Sequence, residues 1–137
     1  MGVEKLQEVG IAVRDLAEAL RVFTDILGVL PGNTETYDRY GMRFNLCPLG
    51  DAYLELIEPT SPEGALAESI ERRGEGLHHI AFKVSNLEET MARLRDKGIE
   101  FVEEAPLYLD VSYGRVKFTF VRPRSLHGVL LELVEVL

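Results

Sequence analysis

Glu8-Val9-Gly10-Ile11-Ala12-Val13-Arg14-Asp15-Leu16-Ala17-Glu18 returns later in the chain as His79-Ile80-Ala81-Phe82-Lys83-Val84-Ser85-Asn86-Leu87-Glu88-Glu89. In both stretches aliphatic side chains alternate with small or polar ones, the period of a strand with two unlike faces. Asp15 then stands three residues before Glu18, and Asn86 three before Glu89, each ahead of an apolar-periodic run. That pairing is a helix start signal. A second echo follows, Leu54-Glu55-Leu56-Ile57-Glu58 against Leu131-Glu132-Leu133-Val134-Glu135. Glu8 and His79 are 71 residues apart, Glu55 and Glu132 77. The chain is a tandem duplication.

Working outward, the first helix carries an apolar stripe of Leu16, Ala19, Leu20, Phe23 and Leu27, closed by Gly28 with Pro31 beyond. Strands are expected at about 41–49 and 52–58, joined by a turn at Gly50-Asp51, with a weaker one at 34–37. The second copy offers a strand at 79–84 and a helix capped by Asn86 and ended by Gly98. Strands then follow near 99–103, 115–122 and 129–135. Tyr40-Gly41 and Tyr113-Gly114 mark equivalent strand starts. Each copy reads β-α-β-β-β, an α+β pattern. Between them, Ser61-Pro62 is a cap and first-turn pair, and Ala65–Arg73 a short linker helix ending at Gly74. The reading is one domain over 1–137: unit one about 5–59, the linker about 60–77, unit two about 78–137.

The strand face opposite the large aliphatics carries Glu8, Gly10 and Ala12 in one copy, His79 and Ala81 in the other. Small residues leave open space beside the polar one. Glu55 and Glu132 lie in otherwise apolar strands, where a carboxylate is costly to bury unless it is paired or bound to a cation. A lone strand Glu is ordinarily solvent-facing, and a lone His more often a structural residue. Four metal-capable groups at matched positions of a duplication are a different matter. Glu8, Glu55, His79 and Glu132 on one concave surface would form a shell of three oxygens and one nitrogen, which suits a divalent, six-coordinate metal.

Other residues read more plainly. Glu58 and Glu135 fall on the opposite face and are expected to be solvated. His78 points away from His79, and His127 sits in a turn. Cys47 has no basic neighbour in sequence to activate it, so a buried inert thiol is expected. Arg115, Lys117, Arg122 and Arg124 are the best basic patch for an anionic substrate, or else a solvated strand and turn.

Composition narrows the function classes. With 23 acidic against 15 basic residues the formal charge is -8, which repels nucleic acid and anionic lipid at long range. No apolar run approaches the ~20 residues needed to cross a bilayer. Met1–Lys5 lacks a basic n-region, and Cys47 is the only cysteine. Intrachain disulfides are therefore impossible, and a reducing, cytoplasmic setting is expected.

Paired β-α-β-β-β units with strand-borne ligands resemble the vicinal oxygen chelate superfamily, which includes glyoxalase I, extradiol dioxygenases and bleomycin-resistance proteins. Within it, the methylmalonyl-CoA epimerase branch is the most similar. The matching stretches are Val9–Leu16, Glu55–Pro62, Arg72-Arg73-Gly74-Glu75-Gly76-Leu77-His78-His79-Ile80-Ala81-Phe82, and Pro123-Arg124-Ser125 leading into Gly128–Leu133. The resemblance implies a curved, cup-shaped mixed sheet with helices on its outer face. It implies one divalent ion (Co, Mn, Zn or Ni) on Glu8, Glu55, His79 and Glu132. Glu132 would act as catalytic base, with Glu55 or Glu8 the candidate for the opposite face of the substrate. The implied reaction interconverts (2R)- and (2S)-methylmalonyl-CoA through an enolate, in a homodimer. A lactoylglutathione lyase like glyoxalase I, or a metal-free ligand-binding resistance protein, are the alternatives. Glu8 departs from the family, whose epimerases usually carry His there. A third carboxylate shifts the expected preference toward harder ions such as Mn²⁺ over Zn²⁺.

Overall fold

The computed structural model, which describes residues 2–137, starts the helix of each copy with the same pair of acceptors. In copy one, Asp15 Oδ1 accepts from the Glu18 N–H at 3.0 Å and Glu58 Oε2 from the Leu16 N–H at 2.8 Å. In copy two, Asn86 Oδ1 accepts from the Glu89 N–H at 3.0 Å and Glu135 Oε1 from the Leu87 N–H at 2.7 Å. The first N–H groups of a helix have no partner within it, and its N-terminus favours negative charge. Glu58 and Glu135 are therefore helix caps, not the solvated side chains their face suggested.

The chain forms two compact units, one of Val9–His78 and one of the residues up to Glu8 together with His79–Leu137. Strand β1 (Val3–Ala12) gives its end to the first and its beginning to the second. The first unit also holds α1 (Leu16–Leu20), β2 (Thr34–Tyr37), β3 (Met42–Leu49), β4 (Ala52–Pro59) and α2 (Ala65–Arg73). Its strands run in the order β2-β3-β4-β1. Antiparallel register sets Leu46 beside Glu55 and Phe44 beside Ile57, while Cys47 faces Leu54 and Asn45 faces Leu56. Leu54, Leu56 and Cys47 pack with Val13, Leu16 and Ala19 under α1. Period-two alternation then puts Glu55 on the other face.

The first helix departs from its expected stripe. Beyond Leu20 it widens into π-helical turns over Arg21–Ile26, with the Leu27 N–H bonded to the Val22 carbonyl. Thr24 Oγ1 donates to the Leu20 carbonyl at 2.6 Å. Such a bond competes for the carbonyl that the next turn of an α-helix would use, and Leu27 ends exposed. Helix α2 has the expected bounds, but its cap position is Gly64. Ser61 Oγ instead accepts from the Glu63 N–H, closing a local turn.

The second unit adds β5 (Gly76–Val84), α3 (Leu87–Asp96), β6 (Leu107–Val111), β7 (Gly114–Val121) and β8 (Leu131–Val136). Its strand order is β1-β5-β8-β7-β6. Strands β5 and β8 are parallel and the β6–β7–β8 pairs antiparallel, so the sheet is mixed. Val84, Leu87, Met91, Phe101, Val121, Leu131 and Leu133 form the core beneath α3. The strand expected at 99–103 shrinks to one bridge, Phe101 with Val121. On the side of β7 away from β8, the partner strand is β6, which the sequence pattern did not predict. The fold is α+β, with tandem βαβββ-like modules. Among the described residues no helix is long and apolar enough to cross a membrane.

Candidate metal centre

Strand parity in the second unit lines Ala81, Glu132 and Phe120 up in one row across β5, β8 and β7. Ala81 is too small to cover Glu132, and Phe120 supplies an apolar wall. The His79 ring stands edge-on to Phe120, with centroids 5.5 Å apart. His79 Nε2 lies 3.3 Å from Glu132 Oε1. Glu55 shares its strand face with Ile57 and lies beside Leu46, both essentially sealed from water.

Glu8, Glu55, His79 and Glu132 each offer one ligand atom, and these four atoms lie within 4.8 Å of one another. All four residues are buried, at 4, 5, 6 and 8% exposure. The residues expected to share a site are thus brought together. Three carboxylates at such spacing repel one another and lose hydration, a cost that a divalent cation offsets. Metal–ligand bonds of about 2.1 Å put opposite ligands roughly 4.2 Å apart, so one ion closes the cluster with little movement. Three oxygens and one nitrogen suit a hard or borderline divalent ion. The donor set fits.

One partner of the cluster was not singled out by sequence. Tyr113, in the β6–β7 turn, donates its phenol to Glu8 Oε2 at 2.5 Å. Burial first, then the charge of Glu8, pushes this phenol well above its ordinary pKa and keeps it a donor. The two residues are 105 positions apart, so no local spacing reports the contact. The only trace in the sequence is the repeat of Tyr-Gly at 40–41 and 113–114.

The remaining candidates stay outside the cluster. Arg115 pairs with Asp110, Lys117 with Glu88 and Glu135, and Arg124 with both oxygens of Glu100. Three of the four proposed anion-binding cations are therefore engaged by carboxylates of the chain. His127 occupies a turn with φ of 55°. Cys47 is fully buried, and burial pushes its thiol pKa up, as expected of an inert thiol.

Residues 7–113 match the sequence profile of the Glyoxalase/Bleomycin resistance protein/Dioxygenase superfamily. An uncharacterised protein of Bacillus subtilis, YqjC, is 32% identical, over 97% of this chain and 93% of that one. The crystal structure of methylmalonyl-CoA epimerase from Mycobacterium tuberculosis superposes with a TM-score of 0.91 at 32% identity, covering 98% of this chain and 89% of that one. A methylmalonyl-CoA epimerase variant from Streptomyces coelicolor, in complex with 2-nitronate-propionyl-CoA, gives 0.90 at 30% identity, covering 98% and 99%.

Proposed function

Because the chain belongs to the Glyoxalase/Bleomycin resistance protein/Dioxygenase superfamily, we propose that its epimerase activity acts on methylmalonyl-CoA, interconverting the (2R) and (2S) forms. The fold, the buried cluster and the relatives make the protein an isomerase of the epimerase kind. The observation that carries the proposal is that cluster: three carboxylates and one imidazole converging within 4.8 Å, all of them largely shielded from solvent.

Glu8, Glu55, His79 and Glu132 would hold one divalent ion. Bound there, it would supply Lewis-acid stabilisation to the enolate oxygen that develops on the thioester. Glu132 takes the α-proton onto a carboxylate oxygen, with His79 Nε2 3.3 Å from that carboxylate as its neighbouring ligand. Glu55 is the candidate base for the opposite face, returning a proton with inverted configuration. Ala81 and Phe120, the register partners of Glu132, are the side chains beside which the α-carbon would sit. The chain works as a homodimer, since β6 ends its sheet as an edge whose polar backbone groups favour pairing. A reducing, cytoplasmic compartment accords with its single buried cysteine.

The test is incubation of the Mn²⁺-loaded protein with each methylmalonyl-CoA epimer in deuterated water, beside a hemithioacetal assay. Deuterium at the α-carbon with interconversion of epimers is the expected result. Turnover of the glutathione hemithioacetal alone would make the protein a glyoxalase-like lyase. Binding without turnover of either would make it a ligand-sequestering protein. Sedimentation showing only a 15.4 kDa species at micromolar concentration would contradict the dimer.

A further inference from the structure

The turn between β6 and β7 is built to aim one side chain. Val111 and Gly114 are register partners, so only Ser112 and Tyr113 make the connection. Gly114 takes φ of 131°, a conformation that side chains other than hydrogen resist. The hairpin is fastened on both sides: Arg115 pairs with Asp110 at 2.9 Å and lies over the Tyr108 ring, and the Leu137 N–H bonds to the Arg115 carbonyl. From this turn the phenol of Tyr113 meets Glu8 Oε2 at 2.5 Å, within the range of a strong O–H···O⁻ bond.

We propose that Tyr113 is the positioning residue that makes Glu8 a one-atom ligand. The inference rests on the metal-dependent reading above. A carboxylate with both oxygens available can swing from one-oxygen to two-oxygen coordination and take up a further position on the ion. The imidazole of His79, at the matching place in the other copy, has no such freedom. Tyr113 engages Oε2 of Glu8, which would confine coordination of an ion to the other oxygen. It also draws charge from the third carboxylate of the cluster, bringing it nearer to the neutral ligand that copy two supplies. Four single-atom donors would leave two positions of a six-coordinate shell for substrate oxygens. Without the phenol, Glu8 would close one of them.

The test counts exchangeable waters on Mn²⁺ by water-proton relaxation and oxygen-17 spectroscopy, with the Mn²⁺ affinity measured alongside. The parent is expected to hold one Mn²⁺ per chain with about two exchangeable waters, and Tyr113→Phe about one. Glu8→His in the Tyr113→Phe background should restore the second water, because imidazole offers a single atom. A merely structural role for Tyr113 would not be rescued in that way. The double variant also lacks a carboxylate deprived of its partner, so it folds even if the single one does not. Two waters on Tyr113→Phe with parental affinity, or no recovery in the double variant, would overturn the inference and leave the metal reading intact. A parent that binds no Mn²⁺ would overturn both.

Discussion

Copy one caps its helix with Asp15 and Glu58, copy two with Asn86 and Glu135, and the four bonds span only 2.7–3.0 Å. At the cluster the copies diverge, with Glu8 on β1 against His79 on β5. Their turn tyrosines diverge as well. Tyr40 packs edge-on against Tyr37 at 5.2 Å, whereas Tyr113 reaches Glu8. Helix starts impose the same demand wherever they occur, an acceptor for exposed N–H groups, so the duplicated scaffold keeps one solution. The cluster imposes a shared charge balance, which one position can shift only if another group compensates. Tyr113 is that compensation for Glu8.

The largest expected effect falls on a position where the copies match. Glu132→Ala should fold yet lose α-proton exchange by ~10²–10⁴-fold, the usual cost of losing a positioned base. Exchange within a few-fold of the parent would remove Glu132 from the mechanism. The caps come next. Glu58→Ala and Glu135→Ala should each destabilise the chain by about 1–2 kcal/mol in urea unfolding. A loss in only one of them would show that the two helix starts are not equivalent in energy. Smallest is Glu8→His, which makes the copies alike at the cluster. It should move metal preference toward Zn²⁺ or Co²⁺ relative to Mn²⁺ by about tenfold. Unchanged competition between these ions would mean that Glu8 is not a ligand.

The parts of the fold legible in the sequence were those fixed by short-range chemistry. Asp15 and Asn86 announce their caps three residues ahead, Ala65–Arg73 is bounded by glycines, and Gly50-Asp51 marks the β3–β4 turn. Strand parity placed Glu55 and Glu132 away from the helices, and the repeat matched them to Glu8 and His79. What stayed hidden depends on partners distant in sequence. Glu58 lies 42 residues from the N–H it accepts, and Glu135 lies 48 from its own. Along β7, β6 takes Gly114–Phe118 in five register pairs and the 99–103 segment keeps only the bridge at Val121, a division that local alternation does not encode. The π-helical turns over Arg21–Ile26 accompany a bond from Thr24 Oγ1 to the Leu20 carbonyl, which no periodicity encodes.

The metal content of protein purified without chelator tests the central claim most directly. The account predicts about one divalent ion per chain in the parent, released by chelation and rebound as Mn²⁺, and lost from His79→Ala with the fold intact. Parent protein that neither carries nor takes up a stoichiometric ion, or a His79→Ala variant that keeps it, would contradict the account.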